Sequence, residues 1–281
     1  MFGLISAYLL IQAHHPKLAA KRMSISKPNF QIKLAESDAE LRAAQRLRYR
    51  VFVEELGGSG ALIDHQNRLE RDQFDPFFDH LILVDKSIIG EEIDQVVGLY
   101  RVLRQESAEK IGQFYSEDEY DLSVLKSSGR KLLELGRSCL HSDYRGGAAM
   151  FHLWSGLADY VNVHEIEVLF GVASFHGTDI GALTQPLSLL HERHLAPKDL
   201  RVRAQPDRFQ RMDLIPEAQI DRVKAMLKVP SLIKAYLRLG GCVGEGAYID
   251  HLFNTVDVCL IMDTGRMNAK NKSLYTKERN L

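Results

Sequence analysis

From Phe30 onward, apolar and polar positions recur with strand and helix periods that divide the chain into elements. Phe30-Gln31-Ile32-Lys33-Leu34 alternates like a half-buried strand. In Ser37-Asp38-Ala39-Glu40 the serine and glutamate are spaced to satisfy each other's free backbone amides, so a helix is predicted to start there and to end at Gly57-Gly58. Leu41, Ala44, Leu47, Val51 and Phe52 lie near its inward face, and Arg46 and Arg50 share another. Residues 57–80 read as a loop that closes with Asp72-Gln73-Phe74-Asp75-Pro76-Phe77-Phe78-Asp79-His80. Its aromatics can dock on a core while Asp72 and Asp75 present carboxylates, which is how a loop that binds a small cation would be built.

Residues 81–84 and 96–103 are predicted to be two antiparallel strands. Arg101 shares a strand face with Leu99 and Leu103. A cation buried there needs a partner, and Glu134 is the expected one. The next strand, Leu132-Leu133-Glu134-Leu135-Gly136-Arg137-Ser138-Cys139-Leu140, carries opposite charges around a glycine. Residues three apart on a regular strand face opposite ways, so a bulge at Gly136 is predicted to bring Glu134 and Arg137 to one side. After Arg145-Gly146-Gly147, the positions Met150, Trp154, Leu157, Ala158 and Val161 form a helical stripe. That glycine turn therefore sits at a helix N-terminus, where free amides and the helix dipole favour an anion such as phosphate. A strand over 168–173, a helix over 179–192, a helix from Pro216 to about 228, a short helix over 230–239 and strands over 243–249 and 255–261 complete the pattern.

Composition narrows the classes. The 281 residues are 45% apolar and 26% charged with a formal net charge of −1, ordinary for a globular chain and without the basic excess of a nucleic-acid binder. Cys139, Cys242 and Cys259 show no metal or disulfide spacing, which fits a reducing cytoplasm. No metal is expected, because His191 and His194 lack an evident third ligand. His80 and Asp85 match an H-x4-D acyltransferase spacing, but on a strand they stand roughly 16 Å apart on opposite faces. Ser174, His176 and Asp179 are too close in sequence to form a hydrolase triad. The arginines and lysine between Arg193 and Arg211 suggest a surface for an acidic partner. Residues 1–13 are apolar but too short to span a bilayer, leaving an interfacial anchor or a non-native extension ahead of Met23. The expected organisation is an apolar extension (1–29), one domain (30–263) and a flexible tail (264–281).

Several stretches, taken together, resemble a known family. They are Gln45-Arg46-Leu47-Arg48-Tyr49-Arg50-Val51-Phe52-Val53-Glu54-Glu55, Asp72-Gln73-Phe74-Asp75, residues 98–101, Glu134-Leu135-Gly136-Arg137 and Phe170-Gly171-Val172-Ala173-Ser174-Phe175-His176-Gly177. Residues 232–241 and Phe253-Asn254-Thr255 add to the set. The chain resembles the acyl-homoserine-lactone-synthase branch of the GNAT acyltransferases, and more closely the bacterial ornithine N-acyltransferases that use acyl carrier protein. The resemblance implies an α/β (α+β) GNAT-like fold with a central mixed, bulged sheet flanked by helices. It also implies transfer of a 3-hydroxyacyl chain from acyl carrier protein to the α-amine of ornithine, the first step of ornithine lipid synthesis. An acyl-homoserine-lactone synthase, or an N-acyltransferase for another amino acid such as glutamine, is the alternative.

In that reading Glu134 is the base, oriented by Arg101 and Arg137. Asp72 and Asp75 hold the amino acid, with Arg50 and Phe52 beside them. Arg145, Gly146 and Gly147 fit the GNAT pyrophosphate motif poorly and suit the single phosphate of a phosphopantetheine arm. No bound cofactor is expected: the donor is the acyl-phosphopantetheine of the carrier protein, and the partners are that protein and a small amino acid, with peripheral contact at the inner membrane.

Overall fold

The computed structural model describes residues 27–60 and 63–267. Residues 1–26 of the expected apolar extension (1–29) and 268–281 of the expected tail (264–281) lie outside the described residues, while Thr264 at the start of that tail hydrogen-bonds to the Ile166 and Glu167 carbonyls. The principal strands are β1 (Phe30–Leu34), β2 (Asp79–Asp85), β3 (Val96–Arg104), β4 (Leu132–Leu140), β5 (Val168–His176), β6 (Ala247–Asp250) and β7 (Thr255–Asp263). The principal helices are α1 (Asp38–Arg48), α2 (Ala149–Val163), α3 (Ile180–His194), α4 (Arg222–Lys228) and α5 (Ser231–Arg238).

One sheet runs β1-β2-β3-β4-β5-β7-β6, with Phe209–Gln210 on the β6 edge. Neighbours are antiparallel except β4 and β5, which pair in parallel only at Leu132↔Val168, Leu133↔Leu169 and Glu134↔Phe170. Parallel neighbours need a crossover, which α2 supplies. Beyond Glu134 the two strands part. Gly171 marks that point: a β-carbon there would stand 2.2 Å from the Leu135 carbonyl oxygen, so only glycine permits the approach.

Strand β3 is buried along nearly its whole length because helices cover both faces. Val97, Tyr100 and Val102 join the core beneath α2, with Leu153 and Leu157. Leu99 joins the core beneath α1, with Ala44, Leu47 and Val51. Strand alternation puts Arg101 on the same side as Leu99, facing the α1 layer.

Three predicted elements differ in outline. The first helix is α-helical only to Arg48 and continues as a wider π-helical stretch, Tyr49–Glu55. The predicted 243–249 strand is two pieces, Cys242–Val243 and Ala247–Asp250, because Gly244, Glu245 and Gly246 turn between them. The helix expected from Pro216 is a 3-10 turn, Glu217–Gln219, followed by α4 with Asp221 as its cap.

Candidate active site

Three arginines from three elements converge with three acids of the long loop. Arg48, at the end of α1, is fully buried and pairs with Glu70 and Asp75. Arg101 on β3 is also fully buried, its Nη1 donating to Asp72 at 2.6 Å and to Asp75 at 2.7 Å. Arg137 on β4 donates from Nε to Glu70 at 3.2 Å and lies 3.5 Å from Asp72. Phe78 and Tyr115 lie under the Arg101 guanidinium, 4.1 and 5.3 Å from ring centre to Cζ. Burial raises the carboxyls of Glu70 and Asp75, but the neighbouring guanidiniums (Arg137 and Arg48 for Glu70, Arg48 and Arg101 for Asp75) outweigh it and hold both below the usual range.

Residue by residue, this arrangement differs from the sequence-based expectation. Arg101 meets Asp72 and Asp75 rather than Glu134. Those two aspartates are therefore engaged: Asp75 is buried between arginines, and the second oxygen of Asp72 accepts the Phe74 and Asp75 backbone amides at 2.9 and 3.1 Å. Both therefore already accept hydrogen bonds from within the chain. Arg50 lies in the π-helical stretch, partly exposed and 3.8 Å from Asp94, outside the cluster. Phe52 packs on the α1-side core. The arginine that takes the organising position is Arg48, and the sequence carried its signal: Ala44, Leu47, Arg48 and Val51 follow the i, i+3, i+4, i+7 stripe. A cation on the apolar stripe of a helix demands acids opposite it.

The bulge exists, one residue later than expected. Leu99 pairs with Cys139 and Arg101 with Gly136, so the extra residue falls at Arg137 and Ser138 opposite Tyr100. Arg137 has φ +49, a left-handed conformation that is costly for a side-chain-bearing residue. Glu134 and Arg137 do reach one side, where Tyr115 touches both. Its backbone N–H donates to Glu134 at 2.8 Å, and its hydroxyl lies 3.3 Å from Arg137 Nη2.

Glu134 itself is fully buried. Besides the Tyr115 amide it accepts the Ser116 amide at 2.6 Å and the Ser116 hydroxyl. Burial raises its carboxyl to about 7, against the lowering effect of those hydrogen bonds and of Arg101. That value would suit a base, while both oxygens also accept from the Tyr115–Asp118 turn and hold it.

The cleft opens where β4 and β5 part, walled by Gly136, Arg137 and Ser138 on one side and Gly171, Val172 and Ala173 on the other. Leu169, Tyr236 and Met262 line both this cleft and a second cavity of about 260 Å³ beneath α2, bounded by Leu157, Val161 and Leu239. The shared wall carries a polar knot, with Trp154 Nε1 and the Tyr236 hydroxyl donating to the Tyr100 hydroxyl at 3.1 and 3.2 Å. An apolar chamber thus adjoins, across that wall, a cleft edged by a guanidinium. At the far side of β4, Arg145 donates to the Leu140 carbonyl at 3.1 Å from Nε and 3.0 Å from Nη2, and pairs with Glu55. Gly146 takes φ +80, and the first turn of α2 has no side-chain cap.

Most of the basic segment is locally balanced: Arg193 pairs with Glu217, Arg203 with Glu245, and Arg211 with Asp213 at 3.0 Å. It is a weaker candidate for an acidic partner than composition suggested.

A mixed sheet that splays at one parallel pair, beside a bulged strand and an apolar chamber, is the fold of a GNAT acyltransferase, and residues 47–155 match the acetyltransferase (GNAT) domain family. Among solved structures, an N-acyl amino acid synthase from uncultured soil microbes (FeeM) covers 85% of this chain and 93% of its own at 12% identity and TM-score 0.49. The acyl-homoserine-lactone synthase LasI covers 90% and 100% at 16% identity and TM-score 0.46. The chain is 59% identical over 255 residues to the L-ornithine N(alpha)-acyltransferase of Rhodobacter capsulatus, covering 91% of this chain and 98% of that protein. It is 43% identical to the Brucella abortus enzyme of that name, over 90% of each chain. The chain belongs to the L-ornithine N(alpha)-acyltransferase family.

Proposed function

We propose that the protein transfers an acyl chain from the phosphopantetheine thioester of acyl carrier protein to the α-amine of L-ornithine, forming an N-acyl amino acid, the lyso-ornithine lipid. The observation that supports this reading is the Arg137-edged cleft standing against the apolar cavity beneath α2, with Leu169, Tyr236 and Met262 lining both. The thioester carbonyl sits at the mouth and its chain runs past Leu169 and Tyr236 into the chamber. Gly146, Gly147 and the uncapped first turn of α2 offer backbone amides to one phosphate. Arg145 braces that turn through Leu140 and Glu55.

The α-ammonium sheds a proton to solvent water before its nitrogen attacks the thioester carbon. The positive field of Arg137 favours the neutral amine and stabilises the oxyanion that forms, alongside backbone amides at the bulge. On collapse the C–S bond breaks, and the thiolate takes the second proton from nitrogen. Arg48 and Arg101 hold the acidic loop that positions Arg137, and Glu134 holds the turn that sets Tyr115 against it.

The product is an amphiphile, which matches peripheral contact with the inner membrane; no helix among the described residues is long and apolar enough to cross a membrane. The test is purified protein with 3-hydroxyacyl carrier protein or the matching coenzyme A thioester, and ornithine, lysine, glutamine or glycine as acceptor, followed by lipid mass analysis. N-acyl ornithine formed from the carrier-protein donor is expected. Turnover with the coenzyme A donor alone, or glutamine as the preferred acceptor, overturns the reading.

A further inference from the structure

With Asp72 and Asp75 engaged by arginines, the acids left to meet a cationic acceptor lie elsewhere. Glu119 follows the Tyr115–Asp118 turn, Asp250 ends β6 and Asp257 lies on β7, and one carboxylate oxygen of each falls within 4.8 Å of the others. Glu119 is 9% exposed, Asp250 9% and Asp257 4%. Asp250 accepts the Leu252 and Phe253 amides at 2.7 and 3.2 Å, and Asp257 accepts the Thr255 hydroxyl at 3.1 Å. Glu119 Oε2 and Asp257 Oδ1 are buried with no hydrogen-bond partner, and none of the three acids has an ion-pair partner among the described residues.

Three buried carboxyls this close repel one another. Burial, then Asp257 and Asp250, raise Glu119 to about 9, and burial with Asp250 raises Asp257 to about 6. Either a held proton or a cation relieves such a cluster, and the unpartnered Glu119 Oε2 and Asp257 Oδ1 are free to accept from a cation. Its place is informative: Arg137 is the cation acting on both Glu119 and Asp257, and the Phe253 ring, in the turn after Asp250, lies 5.9 Å from the Arg137 guanidinium. The acids therefore lie on the Phe253 side of Arg137, a residue that also lines the cleft.

We propose that Glu119, Asp250 and Asp257 form the pocket for the side-chain ammonium of the acceptor, selecting a diamino acid over a neutral one. This rests on the N-acyl transfer reading above. The ammonium supplies three donors to the three acids, and its charge drives the proton that Glu119 holds in the empty cluster out to solvent. The α-amine is thereby directed back past Arg137 toward the thioester.

L-Norvaline, which has the carbon skeleton of ornithine without the terminal amine, isolates this contact. Calorimetric titration of the wild-type protein with each amino acid is expected to show ornithine binding tighter by about 10- to 100-fold, the range for lost charge-assisted hydrogen bonds. In Glu119→Gln and Asp257→Asn the ornithine-to-norvaline ratio of kcat/KM falls by a similar factor, while KM for the acyl donor holds. Equal wild-type binding of the two amino acids overturns the proposal even if a variant fails to fold. So does an unchanged ratio in folded variants. Stoichiometric Mg2+ or Ca2+ retained on equilibrium dialysis, with ornithine selectivity abolished by EDTA, also overturns it and makes the cluster a metal site. Acyl transfer to neither amino acid, with the binding preference intact, refutes the transfer reading and leaves the ammonium pocket standing.

Discussion

Glu134→Gln separates a base from an anchor. The wild-type carboxylate accepts two backbone N–H groups and one hydroxyl, all within a fully buried site. A glutamine keeps one acceptor oxygen and turns an NH2 toward at least one of those donors. The sharper quantity is the pH dependence of stability. Burial lifts the folded-state carboxyl from 4.5 to about 7, so the fold binds its proton more tightly than the unfolded chain does. The associated stability is fully present below pH 4.5 and is lost as pH rises through about 7. The shift corresponds to about 3 kcal/mol, at 1.36 kcal/mol per pH unit. Glutamine cannot titrate, so the stability difference between wild type and variant is expected to shrink by about that amount between pH 5 and pH 8. Urea unfolding at the two pH values measures it. In the acyl-transfer assay kcat is expected to fall by less than about tenfold and to keep its acidic limb, since a base would supply roughly 10²–10⁴-fold. A loss of more than 100-fold in kcat together with disappearance of that limb, in a protein with unchanged stability slopes, refutes the anchor assignment.

The other predictions follow from burial and contact. Arg48→Met leaves Glu70 and Asp75 without one guanidinium and should cost about 3–5 kcal/mol in urea unfolding; a cost below 1 kcal/mol would show that the network does not depend on it. Arg50→Ala removes a partly exposed side chain 3.8 Å from Asp94 and should change stability by less than about 0.5 kcal/mol with kcat/KM intact; a tenfold activity loss would return Arg50 to the site. Gly171→Ala drives a methyl against the Leu135 carbonyl, costing about 1–3 kcal/mol and raising KM for the acyl donor as the strands shift; wild-type stability and KM would contradict the close approach.

The sheet was legible because alternation and apolar runs are local signals, and β1 through β5 fall close to where those signals place them. Arg101, Glu134 and Arg137 could be singled out because charges on apolar strands need a physical reason. Their partners could not be assigned, since partner choice depends on where an aperiodic loop lies over the sheet. Asp72 and Asp75 are visible as acids in residues 57–80, yet nothing local says that buried guanidiniums claim them. Glu134 is the same problem in reverse: its donors come from Tyr115 and Ser116, in a turn with no hydrophobic period. Glu119, Asp250 and Asp257 were invisible for a stronger reason, because only the return of β6 and β7 beside β5 brings residues so distant in sequence together.

The two acidic groups follow opposite electrostatic logic, and the contrast explains the site. Glu70, Asp72 and Asp75 balance Arg48, Arg101 and Arg137 charge for charge. Such a buried network gives little net stability over well-packed apolar side chains, because desolvation offsets attraction. What it supplies is position: it ties residues 70–75 to α1, β3 and β4 and holds Arg137 in its left-handed bulge at the cleft. Glu119, Asp250 and Asp257 have no such balance among the described residues, so an arriving cation takes over the relief of a repulsion that a held proton otherwise supplies. In the proposed site one group fixes the guanidinium that meets the thioester, and the other leaves a charge deficit for the acceptor to complete. A neutral amino acid could reach the same guanidinium, but it would leave that deficit in place.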